Sequence, residues 1–495
     1  MPHQAHQLAL AKADQAREAH AVRRGDMRPA YHFTAPYGWL NDPNGLIQHQ
    51  GVYHLFYQHN PYATHWAQMH WGHAVSRDLL AWTHLPVALA PSEPYDCDTR
   101  GGCYSGSAIM AGDALTLLYT GCTHKNGLEE QTQNLAFSTD GIHFTKYPQN
   151  PVIPKPPKGG SEQFRDPKVW QWGQSYYAVL GNSMDARGCV LLYRSDDLRA
   201  WAYCGVLLHA QPGQGWMWEC PDFFPLGNRW MLTVSAMGVQ GNRNLWFVGD
   251  FDNQTGCFTP LQQGFLDVGD DFYAPQSFLD EHNRRIMIGW ADHKSQREGV
   301  PPDAATASHG FCGHLCLPRV VTLAKGDTPR FAPIPEVTAY RINPLHGALP
   351  EVPAQPVLLG QWNTTAVEAL LLLDFQHSSA KQVTLAWQHD PSHATTLVYD
   401  RAAGMLRLDR NQTDECVSGV VEHAVGAPET LALHIFFDRN SLELFIQDGV
   451  CVLSANVFPK ENALQMRLSA QGGQGPRAVW DLWEIKPCTP RQNET

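Results

Sequence analysis

One pattern recurs in this sequence as SRDLLAWTHL at residues 76–85, STDGIHFTKY at 138–147, SDDLRAWAYC at 195–204 and, more weakly, GDFDNQTGCFTP at 249–260. The aromatic residues of the four copies are Trp82, Phe144, Trp201 and Phe258, at intervals of 62, 57 and 57 residues. A nearly constant interval of this size indicates a supersecondary unit that is repeated along the chain.

Strands account for most of each unit. Short aromatic and β-branched runs precede the pattern, such as VYHLFYQ, LTLLYTG, SYYAVLG and WMLTVSA, and turn residues bound each run. DDFYAPQSF, RIMIGWAD and GHLCLPRVVTL supply a fifth unit that lacks the closing pattern. Four-stranded units with this spacing fit propeller blades better than a sandwich. The sequence therefore predicts an all-β fold in which residues 29–335 form a five-bladed β-propeller, the catalytic domain.

The sequence changes character after this domain. Prolines crowd residues 329–356, so we expect no interior strand there but a short helix near Val337 and a linker, together residues 336–356. Beyond it, runs such as VEALLLLDF and LQMRLSA alternate like antiparallel strands, with a hairpin turn at residues 438–441. Residues 357–488 are predicted to form a C-terminal β-sandwich.

The N-terminal segment, residues 1–28, predicts a short helix, because after Pro2 it is rich in Ala, Gln, Leu and Arg and has no Gly before Gly25, where we expect the helix to end. It has no apolar core followed by a small-residue cleavage site, and no run in the chain approaches the roughly 18 apolar residues of a membrane span. We therefore expect a cytoplasmic protein with no membrane partner.

Composition excludes other classes. A net charge of −12 without clustered Lys and Arg argues against a nucleic-acid partner. The 12 cysteines are too dilute for a disulfide scaffold and are expected to be reduced thiols. In CGHLC, strand alternation would place Cys312, His314 and Cys316 on one face, but no second ligand pair follows. Ordinary buried cysteines are the favoured interpretation, and we expect neither a metal nor a cofactor.

Three acids occupy matching places in their units. The phrases WLNDPNG, FRDP and WECPD contain Asp42, Asp166 and Glu219, which precede the aromatic residue of their own unit by 40, 35 and 39 residues. Ser105 has the same offset of 39 in the second unit, and Tyr273 lies in the corresponding part of the fifth. Because the first strand of every blade lines the central channel, we expect these residues to meet there.

This constellation suits glycoside hydrolysis. The reaction needs one carboxylate that attacks or activates water and one carboxylic acid that protonates the leaving oxygen, and repulsion between neighbouring carboxylates keeps one of them protonated. For any single acid, capping of a turn or pairing with Arg165 is the alternative. A catalytic role for Ser105 is disfavoured because YSGS lacks the context of a nucleophile elbow, so we expect Ser105 to bind sugar.

These phrases also resemble a known family. Together with FYQHNPYATHW, MHWGHAVS, YSGSA, DFYAPQSF and FFDRNSLELFIQDG, they are similar to glycoside hydrolase family 32, the invertases and sucrose-6-phosphate hydrolases, from about Tyr31 to Ile485. The resemblance implies the fold that the repeat predicts, a five-bladed propeller followed by a sandwich. It also implies a retaining β-fructofuranosidase that acts on sucrose or sucrose 6-phosphate without a cofactor.

The resemblance assigns roles to individual residues. It makes Asp42 the nucleophile, Glu219 the acid/base and Asp166 the residue that holds fructose hydroxyls and stabilises the transition state. The expected substrate-binding residues are Asn41, Gln58, Trp66, Tyr104, Ser105, Arg165 and Tyr273. The sequence departs from the family in two conservative ways, with Leu40 where Met is frequent and Tyr104 where Phe is frequent.

Several alternatives remain open at this stage. A fructosyltransferase could share the scaffold, and so could an arabinan-cleaving glycosidase, although the sandwich and NDPNG argue against the latter. A carbohydrate-binding protein without catalysis is disfavoured because all three acids are present. The sequence leaves open whether the substrate carries a 6-phosphate, which fructans are used and the oligomeric state. Phosphate-binding candidates are Lys125, Arg187, Arg243, Lys294 and Arg297.

Overall fold

A computed structural model of the protein confirms the all-β class. It describes residues 2–20, 27–239, 241–291, 304–414 and 416–488. The helices of this part of the chain are α1 (Pro2–His20), α2 (Ala304–Ala307) and a 3₁₀ helix (Pro335–Tyr340). None of them is long and apolar enough to cross a membrane. The predicted N-terminal helix is α1, and its expected end at Gly25 lies outside the described residues.

The strands before the 3₁₀ helix form five sheets. They are β1 (Gly38–His49), β2 (Val52–Asn60), β3 (His70–Ser76) and β4 (Trp82–Leu89) in the first sheet; β5 (Gly102–Ala111), β6 (Ala114–Lys125), β7 (Leu128–Ser138) and β8 (Thr145–Lys146) in the second; β9 (Arg165–Trp172), β10 (Ser175–Met184), β11 (Arg187–Ser195) and β12 (Trp201–His209) in the third; β13 (Met217–Leu226), β14 (Arg229–Met237), β15 (Asn244–Asp252) and β16 (Cys257–Phe265) in the fourth; and β17 (Tyr273–Leu279), β18 (Arg285–Trp290), β20 (Arg319–Leu323) and β21 (Pro329–Pro333) in the fifth, while β19 (Phe311–Cys312) joins the first.

The repeated sequence pattern forms the turn between the third and fourth strands of a sheet. In the first sheet the Asp78 carboxylate accepts the backbone N–H groups of Leu80 and Ala81, at 3.0 and 2.8 Å. Asp197 accepts two backbone N–H groups in the same way in the third sheet. Asp therefore recurs in the pattern because its side chain satisfies the backbone of a tight turn.

The first strands of the five sheets are neighbours in a ring. β1 contacts β5, β5 contacts β9, β9 contacts β13, β13 contacts β17, and β17 contacts β1. The short strand β19, which comes after the fifth sheet has begun, pairs in parallel with β1 through Gly38 with Phe311 and Trp39 with Cys312. The chain therefore returns to its first sheet, which brings residues from all five sheets to one centre.

Two six-stranded sheets follow, packed face to face. Their strands are β22 (Arg341–Leu349), β23 (Val357–Trp362), β24 (Val367–Asp374), β25 (Gln382–Gln388), β26 (Ala394–Asp400), β27 (Met405–Asp409), β28 (Val420–Ala424), β29 (Thr430–Asp438), β30 (Ser441–Ile446), β31 (Cys451–Asn456), β32 (Leu464–Gln471) and β33 (Arg477–Ile485). The strand orders are β22-β33-β24-β29-β30-β31 and β23-β32-β25-β26-β27-β28. Alternate residues such as Leu371 of β24 and Leu385 of β25 share one core. The predicted hairpin turn is confirmed by the pairing of Asp438 with Ser441.

Part of the predicted linker is a strand. A short helix and a linker were expected over residues 336–356, but β22 pairs with β33 within one of the two six-stranded sheets. The prolines misled the prediction because β22 is an edge strand, and its pairing shifts between Ile342 and Leu345, which leaves Pro344 inside a bulge. Proline is tolerated at edges and bulges, since no partner strand needs its missing N–H there.

A buried ionic cluster joins the two parts of the chain. The guanidinium of Arg319, on β20, donates to Asp267 and to Glu443 of β30, both at 2.9 Å. His32 lies between Glu443, at 3.0 Å, and Asp438, at 2.9 Å. Burial alone would lower the pKa of His32, but its hydrogen bonds to Asp438 and Glu443 outweigh burial and raise that pKa to about 9.

The raised pKa of His32 predicts a pH-dependent stability. The stabilisation is complete below the ordinary histidine pKa near 6.5 and is lost as the pH rises through about 9, and a shift of this size corresponds to about 3 kcal/mol. We expect the difference in unfolding free energy between wild type and His32→Gln to shrink by that order over this pH range. Denaturant unfolding followed by Trp fluorescence measures it.

The control is His346→Gln, because His346 is exposed and pairs with Asp481 at the surface. Its difference from wild type should stay small at every pH. A stability difference for His32→Gln that does not change between neutral and alkaline pH would show that His32 is not held as an imidazolium.

Candidate active site

Each first strand of the five sheets carries an irregularity where a predicted site residue lies. The pairing with the second strand shifts between Leu40 and Pro43, Tyr104 and Gly106, Val179 and Gly181 (opposite Arg165–Lys168), Glu219 and Asp222, and Tyr273 and Gln276. In four of these strands a proline lies one or two residues after a predicted site residue. These prolines are Pro43, Pro167, Pro221 and Pro275. Proline cannot donate to the ladder, so the strand bulges and presents its neighbouring side chain toward the centre.

The structure brings all ten predicted site residues into one cavity of about 360 Å³. They are Asn41, Asp42, Gln58, Trp66, Tyr104, Ser105, Arg165, Asp166, Glu219 and Tyr273. The cavity is also lined by five residues that the sequence analysis did not assign to the site, which are Trp39, Glu129, Gln163, Cys220 and Trp290. The three acids, which have similar offsets from the aromatic residues of their repeats, therefore lie together although their strands are far apart in sequence.

Asp42 is half-buried and accepts hydrogen bonds at both oxygens. The hydroxyl of Ser105 donates to Oδ2 at 2.6 Å, and the amide of Asn41 donates to Oδ1 at 3.0 Å. Burial raises the pKa of Asp42 to about 6, and the charge of Glu219 adds to the rise, whereas the hydrogen bonds from Ser105, Asn41 and the Cys220 thiol oppose it. Around neutral pH this carboxylate is ionised and oriented by two donors.

Glu219 also accepts hydrogen bonds at both oxygens. The guanidinium of Arg165 donates to Oε1 from Nε at 3.0 Å and from a terminal nitrogen at 2.9 Å. The phenol of Tyr273 donates to Oε2 at 2.6 Å. Arg165 is itself held by Gln163, whose side-chain oxygen accepts at 2.5 Å. The carboxyl group of Glu219 therefore has a fixed orientation, with a cation on one side and a phenol on the other.

Asp166 adopts a left-handed backbone conformation, with φ of 63°, and its Oδ2 accepts the backbone N–H of Cys220 at 2.9 Å and the Cys220 thiol at 3.4 Å. Burial raises the pKa of Asp166 to about 7; Arg165 opposes this, and the charges of Glu219 and Asp42 reinforce it. The sequence predicted that repulsion between neighbouring carboxylates keeps one of them protonated. In the structure the charge of Glu219 helps to raise the pKa of both Asp42 and Asp166.

Glu129 and Gln163 are site residues that the sequence analysis missed. Glu129 accepts from the side-chain amides of Gln163 at 3.0 Å and Gln131 at 2.8 Å. The run LEEQTQ on β7 contains a signal for Glu129, because polar residues at 129, 131 and 133 share one face of a strand.

The aromatic residues divide into a buried and an exposed group. Trp39 is buried and donates its indole N–H to Asn41 at 2.7 Å, with the ring of Trp290 centred 5.9 Å away. Trp66 is 42% exposed and contacts Tyr104 edge to face, at 5.9 Å between ring centres. Trp39 therefore orients the neighbour of Asp42, whereas Trp66 and Tyr104 form a hydrophobic edge at the mouth of the cavity.

The CGHLC phrase does not form the continuous strand that the sequence suggested. β19 ends at Cys312, and Gly313 has φ of +88°. Across the described ranges no group of three His, Cys, Asp or Glu side chains has a geometry that could hold a metal ion.

Comparison with known proteins identifies relatives over the whole chain. The family model "Glycosyl hydrolases family 32 N-terminal domain" matches residues 32–332, and "Glycosyl hydrolases family 32 C terminal" matches residues 339–484. A sucrose-6-phosphate hydrolase from Escherichia coli is 36% identical, covering 97% of this chain and 98% of that protein. A raffinose invertase from Escherichia coli is 37% identical, over 96% of this chain and 99% of that protein.

Solved structures are similar as well. A GH32 β-fructofuranosidase from Bombyx mori has a TM-score of 0.84 and 30% identity, covering 98% of this chain and 99% of that chain. The sucrose-6-phosphate hydrolase from Lactobacillus gasseri has a TM-score of 0.84 and 26% identity, over 96% of this chain and 97% of that chain.

The hydrogen bond from Ser105 predicts a shift in pH dependence. The Ser105 hydroxyl lowers the pKa of Asp42, so its removal in Ser105→Ala raises that pKa. If Asp42 must be ionised to react, the acidic limb of kcat/KM on sucrose moves to higher pH in the variant. Ser105→Thr keeps a hydroxyl and should keep the wild-type limb. If the acidic limb does not move in Ser105→Ala, that limb does not report the titration of Asp42.

Proposed function

The chain belongs to glycosyl hydrolase family 32, and we propose that it hydrolyses the β-fructofuranosyl bond of sucrose or sucrose 6-phosphate, releasing fructose and glucose or glucose 6-phosphate. One observation carries this proposal: Asp42, Asp166 and Glu219, from three different sheets, border one cavity, where Cys220 donates hydrogen bonds to both Asp42 and Asp166. Relatives named sucrose-6-phosphate hydrolase and raffinose invertase at 36% and 37% identity support the substrate class.

In the first chemical step we assign Asp42 as nucleophile and Glu219 as acid. An oxygen of Asp42 bonds to C2 of the fructosyl unit while the bond from C2 to the glucosyl oxygen breaks, and Glu219 gives its proton to that departing oxygen. Ser105 and Asn41 hold the Asp42 carboxylate in place by their hydrogen bonds. Tyr273 and Arg165 orient Glu219.

In the second step Glu219 acts as a base. It takes a proton from water, whose oxygen attacks C2 and releases Asp42 as a carboxylate. Asp166 neither attacks nor transfers this proton in our proposal; it holds fructose hydroxyls that gain positive character as the oxocarbenium-like transition state forms. The Cys220 N–H keeps it aimed at the cavity.

The remaining predicted residues are proposed to bind sugar. Asn41, Gln58, Ser105, Arg165 and Tyr273 offer amide, hydroxyl and guanidinium groups along the cavity wall, and Trp66 and Tyr104 offer ring faces at its mouth. Sugars are commonly held by this combination of polar contacts and aromatic stacking. No cofactor takes part in either proposed step.

In this family the N-terminal domain is a propeller and the C-terminal domain a sandwich. We further propose that the propeller has five blades, spanning residues 29–335, and that the sandwich ends near residue 488. The ring of first strands β1, β5, β9, β13 and β17, each in its own sheet, supports the count. We place the start of the sandwich at β22.

Substitution of the acids tests the assigned roles. Asp42→Asn and Glu219→Gln should each retain less than about a tenth of wild-type activity, because each removes an essential bond-forming or proton-transfer group. Asp166→Asn should also be severely impaired, since a group aimed at the transition state contributes a few kcal/mol. The matched control is Asp113→Asn, an exposed acid in the turn between β5 and β6, which should keep full activity.

The measurement is initial hydrolysis of sucrose and of sucrose 6-phosphate, with the products separated. Fructose and glucose in equal amounts support hydrolysis, whereas glucose in excess over fructose would indicate fructosyl transfer. Binding of sucrose by wild type without any turnover would instead support a carbohydrate-binding protein. Activity above about a tenth of wild type in both Asp42→Asn and Glu219→Gln would refute the roles given to them.

A retaining mechanism predicts the configuration of the product. Asp42 and Glu219 come from first strands on opposite sides of a narrow channel, so their carboxyl groups should be about 5 to 6 Å apart, too close for a catalytic water between them. Two displacements then return the β configuration, and NMR during early sucrose hydrolysis should detect β-fructose first. α-Fructose as the first product would require an inverting enzyme and another role for Asp42.

A further inference from the structure

Glu219 defines the side of the cavity on which the leaving group lies. In the proposed reaction Glu219 protonates the oxygen that departs with glucose, so the glucosyl unit must approach the carboxyl group of Glu219. The phenol of Tyr273 contacts the same carboxyl group, at 2.6 Å from Oε2. The ring of Tyr273 therefore borders the region that the glucosyl unit and its substituents occupy.

Arg243 covers the ring of Tyr273. It immediately precedes β15, its side chain is half-buried, and its guanidinium carbon lies 4.0 Å from the centre of the Tyr273 ring. Stacking on an aromatic ring restrains the guanidinium plane. A cation with a restrained orientation is thus present one ring away from Glu219.

The charge of the cavity makes such a cation necessary for an anionic substrate. Among the described residues, the cavity is bordered by the carboxyl groups of Asp42, Asp166, Glu219 and Glu129 and by one guanidinium, that of Arg165. A phosphate group has a charge near −2 at neutral pH and would be repelled from such a cavity unless a cation lay where it binds.

The corner around Arg243 has a different charge balance. Asp270 and Asp271 lie in the segment before Tyr273, and Arg410 donates to them at 2.9 and 2.6 Å. Asp270 also lies within electrostatic range of Arg243. The carboxylates of Asp270 and Asp271 are therefore balanced by the guanidinium groups of Arg243 and Arg410. This region does not share the net negative charge of the cavity.

The other cations that the sequence analysis named are placed differently. Lys125 is exposed and pairs with Glu130, at 2.5 Å, and Arg187 is exposed at the start of β11. Lys294 and Arg297 lie outside the described residues. Among the candidates that the structure describes, only Arg243 stacks on the ring of a residue that lines the cavity, Tyr273.

We propose that Arg243 binds the 6-phosphate of sucrose 6-phosphate, which makes the phosphorylated disaccharide the preferred substrate of this enzyme. The proposal rests on the hydrolase function above and adds to it the substrate class and the residue that selects it. The planar fork of a guanidinium can donate two hydrogen bonds to a phosphate, a pairing that a sucrose hydroxyl cannot match in charge.

The test is steady-state kinetics on both substrates with three variants. Wild type should prefer sucrose 6-phosphate. Arg243→Met keeps an unbranched side chain similar to the aliphatic stem of Arg but removes the guanidinium and its charge, so kcat/KM on sucrose 6-phosphate should fall about 10- to 100-fold, mainly through KM. Its kcat/KM on sucrose should stay within about threefold of wild type, which also shows that the variant is folded. Arg243→Lys should recover part of the loss, because it restores the charge without the fork.

Lys125→Met is the matched control, since it removes one positive charge at an exposed position of a different sheet. It should leave both substrates unchanged. Glucose 6-phosphate should inhibit wild type more strongly than glucose does, and Arg243→Met should abolish that difference.

Other outcomes would overturn the proposal. An equal loss on both substrates in Arg243→Met would mean that Arg243 acts through Tyr273 on Glu219 rather than on phosphate. A wild-type preference for sucrose, or an equal effect of Lys125→Met on sucrose 6-phosphate, would also refute it. Hydrolysis of neither substrate by wild type would reject the proposed function itself, and this result is distinct from the others.

Discussion

The buried ammonium group of Lys168 holds three of the first strands together. Lys168 lies on β9, two residues after Asp166, and its Nζ is 3.3 Å from the carboxylate of Asp222 on β13. It also donates to the carbonyl of Ser277 on β17, and the N–H of Ser277 donates to Asp222 at 2.5 Å. Separating β9 from β13 would leave a buried charge without its partner, which is strongly destabilising, and separating β17 would remove a hydrogen bond from each of the two charges. The spacing of Asp166, Glu219 and Tyr273 depends on this triangle.

Within that frame, the site balances negative charges that would otherwise repel one another. Burial and mutual repulsion raise the pKa of Asp42 and of Asp166, while Arg165 and the N–H of Cys220 act in the opposite direction at Asp166. A glycosidase of this type needs carboxyl groups that differ in protonation at the same pH. Asp42 and Asp166 differ in the groups that oppose the rise of their pKa, which are side-chain hydrogen-bond donors at Asp42 and chiefly the charge of Arg165 at Asp166.

The sequence predicted the sheets and the convergence of the acids because both follow from a repeat. Residues at equal offsets in repeated units occupy equivalent positions, so Asp42, Asp166 and Glu219 could be placed together without knowing any distance. The sequence did not predict β22, because Pro344 argues against a strand unless the bulge that accommodates it is known. Nor did it predict the contact of Glu129 with the cavity, since Glu129 belongs to a third strand, which a rule based on first strands ignores.

The two six-stranded sheets also support the site. Arg410, just beyond β27, is fully buried and donates to Asp271 at 2.6 Å, and the backbone N–H of Asn456 donates to the same carboxylate at 2.7 Å. Asp271 lies two residues before Tyr273, whose phenol holds Glu219. A buried carboxylate bonded to two groups of the sandwich cannot shift without losing charged hydrogen bonds, each of which contributes about 1.5–3 kcal/mol. The sandwich therefore restrains the backbone from which the partner of Glu219 extends, and this gives a physical reason why a domain outside the cavity accompanies the sheets that form it.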